Sequence, residues 1–315
     1  MLTDAQRTLS AFLGDEAAHG IALEPILGGA SAASLYQFGH AGQTYVLRLL
    51  APKSPRAKHH HEVSLTRAAG AIGAGPRVHF VAADESAIIY DYTPGRIISL
   101  DDVREEAVME RLAHRLSRLH RSSIVVATAT SAFERFYRFE QLASERTVPW
   151  PQAMTRAAEY VRRLDRELQH AASRPCHLDL HARNIILTPA GDPVLIDWVN
   201  GGLSDPSMDL ATLIAFLGLR DGYRDHFLTT YQESMDVPLD LPRIQLLLPI
   251  RPFVAAAGAL LNTPSDVSIA ELEQELARDE LPGHEVFCLP HNTGPSWPDW
   301  KLGLITLKMG LSYLP

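Results

Sequence analysis

Apolar residues are spaced in two ways along this chain. Near its start they fall in short, β-branched runs over 21–27, 35–38, 44–50, 78–82 and 87–91, bounded by Gly, Pro and Asp. Such runs predict strands. Gly39-His-Ala-Gly42 joins the second to the third as a hairpin turn, and Asp84-Glu-Ser86 separates the last two. A helix is expected ahead of them, because Thr3 and Gln6 have capping-box spacing and the pattern runs to His19 before Gly20 stops it. A second helical run holds Glu62 and ends near Ala74-Gly75-Pro76.

Beyond residue 100 helical spacing takes over. Leu112, Leu116 and Leu119 share one face of a helix over 100–121. Helices are also expected over 154–170, from Asp209 onward, over 223–235, 244–261 and 268–278, and at the end through Tyr313. One stretch breaks this pattern. Apolar runs at 185–188 and 194–196 flank Pro189-Ala-Gly-Asp-Pro193, which predicts a hairpin of two short strands. The segment 244–261 is the most apolar, yet Pro249, Arg251 and Pro252 interrupt it. It therefore reads as one or two buried helices and not as a membrane span.

Composition narrows the class. The chain has 315 residues, room for one large domain or two packed lobes, and its 46% apolar content suits a globular core. A net charge of −8 with no basic stripe argues against nucleic acid as a main partner. Two cysteines, Cys176 and Cys288, make no disulfide framework, and no apolar leader follows the start, so a reducing cytoplasm is expected. His59-His-His61 is no metal tract, because consecutive helical side chains fan apart and cannot face one ion.

The chemistry lies in and around the second hairpin. It brings Asn184, before its first strand, near Asp197, after its second, and Asp179 precedes Asn184 by five positions. One amide and two carboxylates then converge, as phosphoryl transfer requires. Mg2+ takes oxygen ligands and is held by one or two protein groups plus nucleotide phosphates, a task that suits Asn184 and Asp197. Asp179 would accept the proton of the attacking hydroxyl. Arg48 stands among apolar neighbours in a predicted strand, where a charge is costly unless paired, and Glu62 follows at the strand-to-helix distance.

His177-x-Asp179-x4-Asn184, Ile196-Asp197-Trp198, Asp205-Pro206 and Asp209-Leu210-Ala211 resemble the aminoglycoside phosphotransferase and choline kinase-like family. The resemblance implies an α+β, protein kinase-like fold of two lobes: a small antiparallel sheet with one helix, then a larger, mainly helical part. The implied division is a nucleotide-binding lobe over 1–94 and a catalytic and acceptor-binding lobe over 95–315. It implies an enzyme, monomer or homodimer, that moves the γ-phosphate of ATP or GTP to a small-molecule hydroxyl with Mg2+. The family places a small-residue turn over the phosphates, here Gly28-Gly-Ala-Ser-Ala-Ala-Ser34, with Ser31 as the contact. By the same resemblance Arg48, fixed by Glu62, holds the phosphates, and Asp91, Tyr92 and Thr93 form the hinge at the adenine edge. His177 would shape the catalytic loop, with Asp209 and Asp205 bracing it.

The acceptor is left open among aminoglycosides and related antibiotics, choline or ethanolamine, thiamine and sugars. Residues 131–147 are expected to be an insertion over the acceptor side. Trp150, Trp297, Trp300 and Tyr313 could form an aromatic cage for a quaternary ammonium. Against a cationic acceptor, Val199 stands where the family usually has Glu. Glu271, Glu273, Glu275, Asp279 and Glu280 read as a solvated helix face. A silent relative that binds nucleotide or a partner is the alternative, and retention of Asp179, Asn184 and Asp197 favours activity.

Overall fold

The structure is a computed structural model that describes residues 3–26, 33–51, 56–168, 171–279, 281–288 and 297–314. The expected first helix is two: Asp4–Leu13 (α1) and Asp15–His19 (α2), split at Gly14, whose φ of 84° no helix accommodates. Thr3 accepts from Gln6 N, but Gln6 spends its amide on Ala18 O, so only half of the capping box forms. The first sheet comprises Glu24–Pro25 (β1), Ser34–His40 (β2), Gln43–Leu49 (β3), Val78–Val81 (β4) and Ala87–Asp91 (β5). Its order is β1-β2-β3-β5-β4, antiparallel throughout. β1 is shorter than its apolar run because Pro25 lacks the N–H a ladder needs, and it lies at the edge. Ala41 and Gly42, both with positive φ, close the β2–β3 hairpin, as two-residue turns of this hand require. α1 and α2 pack on this sheet through Leu9, Ala18, Phe38, Tyr45 and Leu47.

Arg56–Ala71 (α3) packs Val63 against Leu50 and Ile88. The chain then leaves β5 for Arg96–Ile97 (β6), which pairs with Ile185–Leu187 (β8) of the site hairpin. At Gly95 the φ is 147°, and a Cβ would meet Leu187 O at 2.3 Å. Only glycine lets this link lie against the hairpin.

The larger lobe is helical. Glu106–Arg121 (α4), Ala132–Glu145 (α5) and Gln152–Glu167 (α6) precede Arg174–Cys176 (β7), the hairpin of β8 and Pro193–Leu195 (β9), and Gly202–Ser204 (β10). Pro206–Leu217 (α7), Asp221–Glu233 (α8), Leu241–Leu247 (α9), Ile250–Leu260 (α10), Ile269–Leu276 (α11) and Asp299–Leu311 (α12) follow. α7 is buried at every position from Met208 to Leu217, which makes it the axis of this lobe. Leu241–Leu260 is apolar enough in composition to cross a membrane, but 67% of it is buried inside the fold and it turns at Leu248–Pro249.

Some expectations need correcting. The helix expected over 100–121 starts at Glu106, because Asp102 ties back to Ser99 and Arg96 and holds a tighter turn first. Residues 131–147 form mostly one helix, α5, whose start lines the cavity described below. Ser131 and Glu134 form a capping box, Phe136 is fully buried, and α5 packs on α10. The acidic stretch is not wholly solvated, since Glu275 is buried between Lys301 and Arg278.

Asp102 supplies a pH signature. Its carboxylate accepts from Arg96, from Ser99 N at 2.7 Å and from Ser99 Oγ at 2.6 Å. The Arg96 bond is the main cause that holds it down to about 2. A depressed carboxylate stabilises the fold above its unfolded value of about 4, and that contribution is lost as pH falls toward 2. The melting temperature of Asp102→Asn should therefore lie below the parent's at pH 5 and approach it at pH 2. Parallel profiles would show that Asp102 contributes nothing.

Candidate active site

One side of the site is built on β3. Arg48 is buried, donates through Nε to Glu62 Oε1 at 2.7 Å and reaches Asp197 Oδ1 through Nη2 at 3.2 Å. Burial alone would lower the guanidinium, but Asp197 and Glu62 outweigh it and hold it above its ordinary value. Burial pushes the Glu62 carboxyl up, partly offset by Arg48. So the strand–helix pair does form, and the same arginine also spans to Asp197. At the link between the lobes Asp91 accepts from His79 Nε2 at 2.6 Å and Gln43 Nε2 at 2.7 Å, and Tyr92 N donates to Thr44 O at 3.1 Å. Those bonds spend the Asp91 side chain and the Tyr92 amide on the sheet. Thr93 N–H has no partner among the described residues. Ser31 lies outside the described residues.

The catalytic loop hangs from α7. Asp209, fully buried, accepts His177 N at 2.7 Å on one oxygen and Leu178 N at 2.6 Å on the other. Leu178 has a φ of 63°, a left-handed turn that a Leu adopts only when held. His177 Nδ1 accepts from Asp179 N at 3.3 Å, which leaves the proton on Nε2, donated to Ile196 O at 2.8 Å. His177 thereby fastens the loop to the strand end that presents Asp197. Asp205 braces something else: it caps α7 through Ser207 N and pairs with Arg243 at 2.5 Å.

Asn184 donates through Nδ2 to Asp179 O at 2.9 Å, and its own carbonyl accepts Ile196 N at 3.0 Å. Its amide oxygen accepts nothing among the described residues. Asp197, at a φ of 62°, gives one oxygen to Arg48, and the other has no partner among the described residues. Two hard oxygen donors, one neutral and one anionic, fit a magnesium ion that takes its remaining ligands from phosphates and water.

Asp179 is held from its far side. Arg251 Nη2 donates to Oδ1 at 2.5 Å, and Asn200 Nδ2 donates to Oδ2 at 2.9 Å. Burial would raise this carboxyl, but Arg251 first, then His181, His177 and Asn200, bring it well below the usual carboxylate range. Asn200 is in turn gripped by Arg135, whose Nη1 and Nη2 reach its side-chain and main-chain oxygens. Arg135 and Arg251, with Leu178, Met208 and Arg243 among others, line a cavity of about 440 Å³. Arg251, Asn200 and Arg135 were not singled out from the sequence. The available signal was Arg251 itself: a charge inside an apolar helix needs a buried partner.

Two other groups of side chains are engaged elsewhere. Trp297 and Trp300 flank Lys301, whose Nζ lies 5.8 and 5.3 Å from their rings, while Trp150 and Tyr313 pack on the helical core. None of the four lines this cavity. His120, Cys176 and Asp209 lie close enough to suggest a metal. Each is already spent: His120 on Asp209 and Tyr231, Asp209 on the loop amides, and the Cys176 thiol, pushed well up by burial, on Ser204 O.

An antiparallel lobe joined to a helical one, with this loop between them, is the architecture of kinase-like phosphotransferases. The chain belongs to the phosphotransferase enzyme family, whose pattern matches residues 22–247. A choline/ethanolamine kinase family protein from Mesorhizobium loti superposes with a TM-score of 0.67 at 18% identity, covering 97% of this chain and 98% of that one. Choline kinase LicA from Streptococcus pneumoniae gives 0.67 at 18% identity over 96% of each chain. At that identity the likeness shows the fold. Protein LicA from Haemophilus influenzae is 27% identical over 136 residues, 42% of this chain and 51% of that protein. The chain thus spans about half the length of the curated relatives it matches.

Proposed function

We propose that this chain moves the γ-phosphate of ATP or GTP onto a hydroxyl of a small molecule. Residues 1–94 would hold the nucleotide and 95–315 the catalytic loop and the acceptor. The carrying observation is the set of unspent oxygens on Asn184 and Asp197, joined by hydrogen bonds to the loop that presents an ionised Asp179. Asn184 and Asp197 would hold Mg2+, and that ion, when bound, neutralises phosphate charge as the bond to the leaving diphosphate breaks. Arg48, fixed by Glu62, takes part of the same charge. Asp91, Tyr92 and Thr93 form the adenine edge, with the Thr93 amide as the free donor, and Ser31 contacts the phosphates.

Asp179 orients the acceptor hydroxyl and receives its proton as that oxygen bonds to phosphorus. Its two existing hydrogen bonds do not prevent this, since each carboxylate oxygen has two lone pairs. A depressed carboxyl is a weak base, so its main contribution is position, with proton transfer late. Two free, buried cysteines fit a reducing cytoplasm.

Asp197→Ala should weaken Mg-dependent nucleotide binding by roughly tenfold or more, the cost of losing a charged ligand oxygen. Titration calorimetry with and without Mg2+ checks it. Equal affinities in variant and parent would remove Asp197 from the metal. The whole reading is tested by nucleotide consumption over a panel of hydroxyl compounds.

A further inference from the structure

The charges around the acceptor cavity do not balance at its inner end. Glu134 and Asp165, which also line it, are exposed, and both are occupied, Glu134 by Ser131 N and Asp165 by Tyr137. Arg243 is matched by Asp205. Next to Asp179 the balance is two guanidinium groups, Arg135 and Arg251, against one carboxylate.

Arg135 has no carboxylate partner among the described residues. Its N–H groups go to Thr130 O and to the two oxygens of Asn200, all neutral. Burial first, and then repulsion from Arg251, push it down to about 10. Arg251 is 8% exposed, gives Nη2 to Asp179, and leaves Nε buried with no partner. A fixed guanidinium with an unspent donor, beside a second cation that shares with it the single carboxylate of Asp179, is costly in a folded protein unless something anionic visits. Guanidinium groups match carboxylates and phosphates because their planar forks meet two oxygens at once.

We infer that the acceptor carries a negative group, a carboxylate or a phosphate ester, beside its hydroxyl, and that Arg135 and Arg251, which both line the cavity, bind it. The inference rests on the kinase reading above for the hydroxyl's role, but the anion subsite stands on its own contacts. Geometry gives the order of groups. Arg251 touches Asp179 through Nη2 and also lines the cavity, so an anion held there and a hydroxyl at Asp179 are neighbours on one small molecule. Val199 agrees with this, since no carboxylate stands there to attract a cation. Choline, ethanolamine and polycationic aminoglycosides would bring their charge against two arginines.

The test pairs binding with turnover on the full chain. Calorimetry in Mg2+ and ADP, and nucleotide consumption in Mg2+ and ATP, are run with glycerate and malate, glycerol 3-phosphate, glycerol, and choline. At least one anionic class should bind roughly tenfold or more tighter than glycerol and choline, and it should be the class that is phosphorylated. The carboxylate and phosphate arms say which anion is read. Arg135→Gln should raise KM for that acceptor by roughly tenfold with kcat changed by only about threefold, whereas Arg135→Lys should retain most of the affinity. Thermal unfolding of both variants reports whether they fold, and the Lys variant keeps the test usable if the Gln variant does not.

Anions that bind without turnover would uphold the subsite and overturn the kinase reading. Turnover of choline or glycerol, with no anion binding, would uphold the kinase reading and overturn the subsite. Anion affinity unchanged in Arg135→Gln, or binding by no compound in the panel, would also overturn it.

Discussion

Asp179→Asn is expected to keep Mg-nucleotide affinity at the parent's level while cutting turnover by roughly two powers of ten or more. The amide has the same shape, so Asn200 and the loop still have a neighbour of the right size. It cannot accept the acceptor's proton, and half of its hydrogen-bonding capacity has changed sign: an NH2 group would face either Arg251 or Asn200, both donors at that point. The variant also removes the one counter-charge that Arg251 has in this cluster. Some loss of thermal stability should therefore accompany the loss of rate, without loss of nucleotide binding, because Arg48 and Asp197, the proposed nucleotide and metal contacts, pair with each other and with Glu62 and not with Asp179. Single-turnover kinetics beside calorimetry separates the two effects. A variant that turned over as fast as the parent would show that Asp179 neither positions nor deprotonates the acceptor.

Asp209→Ala should be the most destabilising single change at the site, by about 3–5 kcal/mol, the usual cost of removing one partner from a buried charged network. Two loop amides, of His177 and Leu178, and the ring of His120 lose their acceptor at once. Each orphaned buried donor costs about 1–3 kcal/mol. Leu178 would also lose the clamp on its left-handed backbone, which by itself is unfavourable by about 1–2 kcal/mol for a residue with a side chain. Relaxation of the loop into ordinary backbone space would swing Asp179 away from its position, so activity should fall even at temperatures where the variant stays folded. Urea unfolding gives the stability change, and Asp209→Asn, which keeps one oxygen for two amides, should fall between Ala and the parent. An unchanged unfolding midpoint for the Ala variant would mean that the loop does not hang from α7.

These two positions show how unevenly the site could be read in advance. Asn184 and Asp197 flank one hairpin and Asp179 lies five residues ahead of Asn184, so their spacing is a property of local chain geometry, and two short apolar runs around Pro189 and Pro193 were enough to bring them together. Arg48 and Glu62 were readable for a related reason. A charge in an apolar strand demands a partner, and the next helix offers few. Element boundaries were less legible wherever a single side chain overrode periodicity, as Asp102 does before α4 and Gly14 does within the first helix.

The amino-acid order alone determined the hairpin that brings Asn184 to the strand end before Asp197 and the pairing of Arg48 with Glu62, and its resemblance to a known family implied the two-lobed fold that the structure shows. The hairpin and the pair depend on neighbours within a few tens of residues, where strand, turn and helix geometry fix who meets whom. The far side of Asp179 was decided only by tertiary packing. Arg251 reaches Asp179 across 72 positions and Arg135 reaches Asn200 across 65, each carried there by a helix whose apolar face docks on the core. Nothing periodic links such residues. The core sets where each helix lies, and the charge borne on its other edge arrives beside the site as a consequence.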